Sequence, residues 1–439
     1  MAERDKTALV LSAGAPHSPL MAGWLYAVLE KGKAFDIIHA SGAGAFIGLL
    51  YVAPKDQRRD APRRQRPPAQ TTETLQDRVE RLERLLAQRR EEPARSGRRP
   101  EEPTARNPVE AAKEALKGLV DMLGVADPIH AVLSASGFPI GYKTFFKPGA
   151  FTPLFQRWGQ LFKLGKPGEC FLAPIGKPIT PVGQYYNAWI EELRRHEESR
   201  RLWDDLVDFW VAALTPTLIT PFSKGLCAPL PFLEDLVDFN RLQRFPGHFC
   251  INAYNVSDGK DHMEVFDQRE ITASHVRAAL AYPFIYPPGQ IKDKFYFEGA
   301  DRDPIWFGSL IEQRDRWGVK TVVLVDILGE LEECLIRPPH NLWDAFEMSI
   351  LTPICALANK EIRHFETVLK RQYDFEFHRV RFEIPKEHWP HITDWSHSNM
   401  SAMWKIGYDK GKDFGTTDET RRILDSLRPA AELFARPMM

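Results

Sequence analysis

Two short apolar runs near the amino terminus each break on a turn of small residues and resume as an apolar helix pattern, and this repeat constrains the fold most. Ala8–Leu11 stops at Ser12-Ala13-Gly14-Ala15-Pro16 and continues as Leu20–Lys31. Phe35–His39 stops at Ala40-Ser41-Gly42-Ala43-Gly44-Ala45 and continues through Tyr51. A strand buried on both faces reads as an unbroken apolar run, and its parallel neighbour is reached through a crossover helix, so the pattern opens a parallel α/β sheet. Further strand-like runs follow at Phe249–Val256, Met263–Phe266 and Phe295–Phe297. Lys320–Ile327, β-branched and continuous, reads as the last clear strand. Ile271–Tyr282 reads as a helix ended by Pro283, and the chain beyond about Asn341 reads as a helical and irregular appendage.

Between Pro54 and Asn107 the composition changes abruptly, to 15 basic and 10 acidic residues with many prolines and no aromatic side chain. Such a segment cannot bury enough apolar surface to offset its ordering entropy, and it reads as a disordered insert. Within it Leu75, Val79, Leu82 and Leu86 fall on one seam of a short helix over 75–90, flanked by Arg and Glu. That helix either pairs with itself or a partner, or stands alone in solvent. From Pro108 a second amphipathic helix carries Val109, Ala112, Leu116, Leu119, Val120 and Leu123 on one face, for docking on the core or for contact with a membrane or granule. Arg201–Phe222, rich in Trp, Phe and Leu, reads as core or as a lid over an apolar pocket.

The formal charge of −1 gives the whole molecule no pull toward nucleic acid or an anionic surface. Interleaved Glu residues make the arginine pairs of the insert a solvated linker. Five cysteines, Cys170, Cys227, Cys250, Cys334 and Cys355, lack CxxC spacing, which argues for buried reduced thiols in a cytoplasmic protein. His340, His364, His378, His388 and His391 show no metal-ligand spacing, and the glycine turns lack a Walker lysine and the dinucleotide pattern, so no metal and no cofactor is expected. The stretch Thr7–Ser12 is too short and wrongly flanked for a secretory signal, and no apolar run approaches the roughly 18–20 residues of a membrane span.

Three landmarks now stand in order: a glycine-bearing turn after the first strand, a small-residue elbow after the second, and Glu298-Gly299-Ala300 late in the chain. That order resembles the patatin-like phospholipase family. The segments Pro229-Leu230-Pro231-Phe232-Leu233-Glu234-Asp235-Leu236-Val237-Asp238-Phe239-Asn240, Ile251-Asn252-Ala253-Tyr254-Asn255-Val256 through Phe266-Asp267, His275-Val276 and Pro283 to Pro288 resemble a bacterial subgroup with an extra carboxy-terminal region. The resemblance implies a three-layer α/β/α sandwich around a mainly parallel sheet. Its parts would be 1–53 and 108–330 as the patatin-like domain, 54–107 as the insert, and 331–439 as a mostly helical extension. It also implies a Gly-Gly-Gly-x-Arg/Lys-Gly oxyanion loop, a GxSxG elbow carrying the nucleophile, and an Asp-Gly-Gly/Ala turn completing a Ser-Asp dyad.

At all three places this chain departs from the pattern. A tight strand-to-helix elbow needs tiny residues two before and two after its apex. With Ser41 at the apex these would be His39 and Ala43; with Gly42 they are Ala40 and Gly44, and the register through Gly42 places no hydroxyl there. Aligned through Gly23, the oxyanion loop becomes Ala13, Gly14 and Ala15, with His17 for the basic residue and Ser18 for the next glycine, while Pro16 and Pro19 bring no N–H. Glu298 replaces the aspartate with one more methylene, and Pro304 stands where an asparagine is often found. His39 reads as a base or as a satisfied buried group, and His17 as a cap or an anion contact. The expectation is a pseudo-hydrolase that binds a lipid or acyl chain or engages a partner. The alternatives are an active acyl hydrolase using Ser41 with Glu298, and a protein of lipid or polyester granules.

Overall fold

The computed structural model describes residues 6–14, 17–55, 107–124, 127, 230, 233–257, 262–283, 285–329, 331–339, 342–391 and 394–435. The seam Leu75, Val79, Leu82 and Leu86, the Arg201–Phe222 stretch, Ala15, Pro16, Cys170 and Cys227 lie outside them. Cys250, Cys334 and Cys355 are buried free thiols.

Strand β1 (Lys6–Leu11), helix α1 (Ser18–Glu30), the two-residue β2 (Lys33–Ala34), β3 (Ile37–Ala40) and helix α2 (Ala43–Val52) form the opening repeat. β3 starts two residues later than the apolar run because the Phe35 N–H donates to the Tyr51 hydroxyl at 2.9 Å and leaves the ladder. Helix α3 (Pro108–Leu123) begins under an Asn107 side chain that accepts from the Val109 N–H at 3.0 Å. The central strands are β4 (His248–Asn255) and β5 (His262–Asp267), followed by helix α4 (Ala273–Ala279) and the hairpin β6 (Gly289–Ile291) and β7 (Lys294–Glu298). Helix α5 (Gly308–Trp317) leads into β8 (Val319–Val325), and helix α6 (Leu342–His364) precedes β9 (Glu376–Val380). Helices α7 (His397–Asp413) and α8 (Asp418–Ser426) follow, and β10 (Arg428–Pro429) returns to pair with β2.

The main sheet runs β6-β7-β4-β3-β1-β8-β9, with β5 also on β4. The block β4-β3-β1-β8-β9 is parallel, and β5, β6 and β7 are antiparallel additions. Alternation along β1 and β8 divides the core into two: Leu9, Leu11, Val323 and Val325 face α1, α2, α3 and α7, and Ala8, Val10, Val322 and Leu324 face α5 and α6. This is the three-layer sandwich. β9 joins the sheet on β8, so Lys320–Ile327 does not hold the last strand. The helix expected over Ile271–Tyr282 is confined to Ala273–Ala279, its start set by His275, whose ring nitrogen accepts from the Thr272 N–H at 3.2 Å.

The six apolar positions of α3 are its six buried residues, packed in the core with α1 and α2. The face that offered a membrane or granule contact is therefore spent inside the protein. Among the described residues no helix is long and apolar enough to cross a membrane.

Helix α7 binds the carboxy-terminal region to α1 through glycines. A Cβ at Gly407 would stand 2.0 Å from the Leu20 carbonyl oxygen, and one at Gly23 2.1 Å from that of Trp404. Both obstacles are backbone, which cannot rotate aside, so Gly407→Ala should lower stability by about 3 kcal/mol in urea unfolding. Gly118, on α3 with nothing within 4 Å of its missing Cβ, supplies the control. Gly118→Ala should gain about 1 kcal/mol from helix propensity.

Candidate functional site

The carboxyl ends of β1, β3 and β8 meet at one edge of the sheet, where open α/β sheets bind ligands. β3 stops at Ala40, paired with Ile251, while β4 runs on to Asn255, and β7 pairs with this overhang, setting Ala253 opposite Glu298. Glu298 is thereby carried to the space just beyond β3, where the chain turns into α2. The Glu298 N–H donates to the Ala281 carbonyl at 3.0 Å, and a Cβ on Gly299 would meet the Asn252 side chain at 2.6 Å, which fixes the backbone of this acid.

At the turn itself Gly42 has φ 50 and ψ −126, a left-handed conformation that L side chains rarely adopt. Ser41 precedes it with ordinary negative φ and is 1% exposed. Its N–H donates to the Leu11 carbonyl at 3.0 Å and its own carbonyl accepts from the Gly44 N–H at 2.9 Å. The small residues allow the close crossing: a Cβ on Gly44 would be 2.6 Å from the Leu11 oxygen and 2.7 Å from that of Ser12, and Ala40 is buried beside them. A Cβ on Gly42 would lie 2.0 Å from Glu298 Oε1 and 2.9 Å from the Ala13 Cβ. The structure thus brings together Ala13, Gly42 and Glu298, three residues far apart in sequence.

The turn after β1 has its donors partly committed. The Ala13 N–H donates to the Pro304 carbonyl at 3.1 Å, and Gly14, at φ 123, uses its carbonyl to accept from the His17 N–H at 3.1 Å. Pro304 belongs to a loop in which Trp306 takes a φ of 43, with its N–H held by Asp303 Oδ1 at 2.7 Å. Ser12 spans to β8, donating to the Val325 carbonyl at 3.2 Å and accepting from the Ile327 N–H at 3.4 Å.

Both histidines near these turns are held neutral. His17 is fully buried with neither ring nitrogen hydrogen-bonded, and burial pulls it down to about 4. It caps nothing with its side chain. His39 shares a 2.9 Å hydrogen bond with Ser309 through Nδ1 and packs on Trp317 at 5.4 Å between ring centroids, and burial, then His248, lowers it to about 3. Its ring faces the α5 layer, as a structural group.

Glu298 is half-buried as a residue, with its carboxyl end turned against Gly42. Desolvation and, second, the neighbouring Asp301 push it up to about 8. Tyr282 feels the same surroundings: burial, then Asp301 and Glu298, raise its phenol above the ordinary value. Because the unfolded carboxyl titrates near 4.5 and the folded one near 8, the native state binds more protons across that window, and stability falls as pH rises through it. Glu298→Gln should therefore match the wild type in thermal midpoint below pH 4.5 and exceed it increasingly up to about pH 8.

A polar network that no sequence motif announces closes the end of β8. Asp326, 0% exposed, accepts from Arg379 Nε at 2.8 Å and Nη2 at 2.5 Å, and from the backbone N–H groups of Leu328 and Gly329 at 3.1 and 2.8 Å. Asn359 of α6 ties in by accepting from Arg379 and donating to the Gly329 carbonyl at 3.2 Å. The available signal was an acid closing a buried parallel strand, a position that demands a partner. Among the described residues no cluster of three or more His, Cys, Asp or Glu could hold a metal ion.

Comparison with known proteins places this edge in a family. The sequence model of the family described as patatin-like phospholipase matches residues 9–310. No curated protein matches the chain. Among solved structures it is similar to the crystal structure of VipD from Legionella pneumophila, at 14% identity over 97% of this chain and 68% of that one, with a TM-score of 0.31. The family match extends over well more than half of the chain and takes in both glycine turns and the Glu298 turn: the chain belongs to the patatin-like phospholipase family.

Proposed function

We propose that this protein is a non-catalytic member of its family, a pseudo-hydrolase that holds a lipid or acyl chain, or presents the fold to a partner, without cleaving an ester. One observation carries the reading: the residue with the left-handed elbow backbone is Gly42, and the group against it is the carboxyl of Glu298. A nucleophile needs a hydroxyl or thiol at that apex with a base in hydrogen-bond reach. The engagement of the Ala13 N–H by Pro304 supports the same reading, since oxyanion stabilisation depends on main-chain donors aimed at developing charge.

Against a hydrolase using Ser41 with Glu298 stands the geometry of Ser41, one residue before the turn, 1% exposed and tied by its backbone to Leu11 and Gly44. In this reading 1–53 with 108–330 form the patatin-like domain, 331–439 form an extension anchored by β9 and α7, and Leu75, Val79, Leu82 and Leu86 serve self-association. Steady-state hydrolysis of acyl esters by the purified protein tests the reading. The wild type should turn over no faster than Glu298→Ala, and a rate well above that control would refute it.

A further inference from the structure

Two departures that look independent in the sequence touch in space. Residue 42 lacks a side chain, and Glu298 is one methylene longer than an aspartate. A Cβ on Gly42 would meet Glu298 Oε1 at 2.0 Å and its Cδ at 3.0 Å, whereas non-bonded heavy atoms settle at roughly 3.5–4.0 Å. The carboxyl oxygen therefore stands inside the volume that any side chain at 42 would fill. We infer that Glu298 is an internal plug: its carboxyl group occupies the place of the nucleophile side chain, so that glycine at 42 and glutamate at 298 are one coupled change. The inference deepens the non-catalytic reading and rests on it for the identity of residue 42 as the nucleophile's place.

The surroundings hold the plug where it is. The backbone of Glu298 is fixed by β7 pairing with Ala253, by its N–H bond to Ala281 and by the close fit of Gly299 on Asn252. Opening the apex therefore requires the side chain to rotate, not the strand to shift. Ala13 is held by its own backbone bond to Pro304, and its Cβ would be 2.9 Å from the new atom. Burial and the nearby Asp301 favour the neutral acid, so the carboxyl fills this space without requiring a counter-cation. The extra methylene provides the reach. A catalytic acid left behind by the loss of its partner would be indifferent to a methyl group at 42, and a plug would not.

A double-mutant cycle on the full chain separates the two. Alanine at 42 suffers the same left-handed backbone strain in any background, so a difference between backgrounds reports the contact with Glu298. Gly42→Ala should lower the thermal midpoint at least about twofold further in the wild type than in Glu298→Ala. Equal decreases in the two backgrounds would overturn the plug. If Gly42→Ala yields no folded protein, recovery of folded protein in Gly42→Ala/Glu298→Ala supports the inference, and failure to recover overturns it. Fluorophosphonate labelling of the wild type, read in parallel, bears on the non-catalytic reading alone. An additive cycle in an unlabelled protein would sink the plug and leave that reading standing.

Discussion

Gly42→Ser combined with Glu298→Asp should acquire covalent labelling by a fluorophosphonate, while each single substitution stays unlabelled. Serine at 42 alone would place its Cβ 2.0 Å from Glu298 Oε1, so the carboxyl must swing away and is lost as a base. Aspartate at 298 alone vacates the space but leaves a glycine at the apex. Together they give a hydroxyl on the elbow backbone, already at φ 50 and ψ −126, with a shorter acid on the strand that faces it. Ester turnover by the double variant should remain low, because the Ala13 N–H is still engaged by Pro304, and one missing oxyanion donor costs on the order of 10²–10³ in rate. Intact-protein mass spectrometry after probe treatment reads all four forms.

Arg379→Ala should be the most destabilising single change away from the elbow. It removes both side-chain donors from Asp326 Oδ2 and leaves a fully buried carboxylate with only the Leu328 and Gly329 N–H groups on its other oxygen. Breaking a buried pair by deleting one partner costs about 3–5 kcal/mol. The network joins β8, β9 and α6, so the loss should appear as a lower urea midpoint for the whole domain. The exposed pair Lys405–Asp409, whose side chains are 74% and 52% exposed, is the contrast. Lys405→Ala should change stability by about 0–1 kcal/mol.

Features set by local pattern were legible in the sequence. The unbroken apolar runs gave β1, β3 and β8, and the spacing of Val109, Ala112, Leu116, Leu119, Val120 and Leu123 identified the buried face of α3 residue by residue. The family resemblance, resting on the order of the three turns, agrees with the match over 9–310. Features set by long-range register were not. β9 escaped because Glu-Phe-His-Arg-Val, an edge strand with polar residues at 376, 378 and 379, neither alternates nor forms an apolar run, and it follows a long helix that reads as appendage. The contact of Glu298 with Gly42 depends on β4 outrunning β3 and on β7 pairing with the overhang, and no local pattern encodes that offset. The Ala13 to Pro304 bond was hidden for the same reason. Proline at 304 was legible as a departure, but its carbonyl acts through the path of the loop.

Covalent labelling of the wild-type chain tests most directly whether the elbow holds a competent nucleophile. Treated with a fluorophosphonate and weighed intact, the purified protein should show no adduct, and Ser41→Ala should be indistinguishable from it. An adduct on the wild type that maps to Ser41 and disappears in Ser41→Ala would contradict the account.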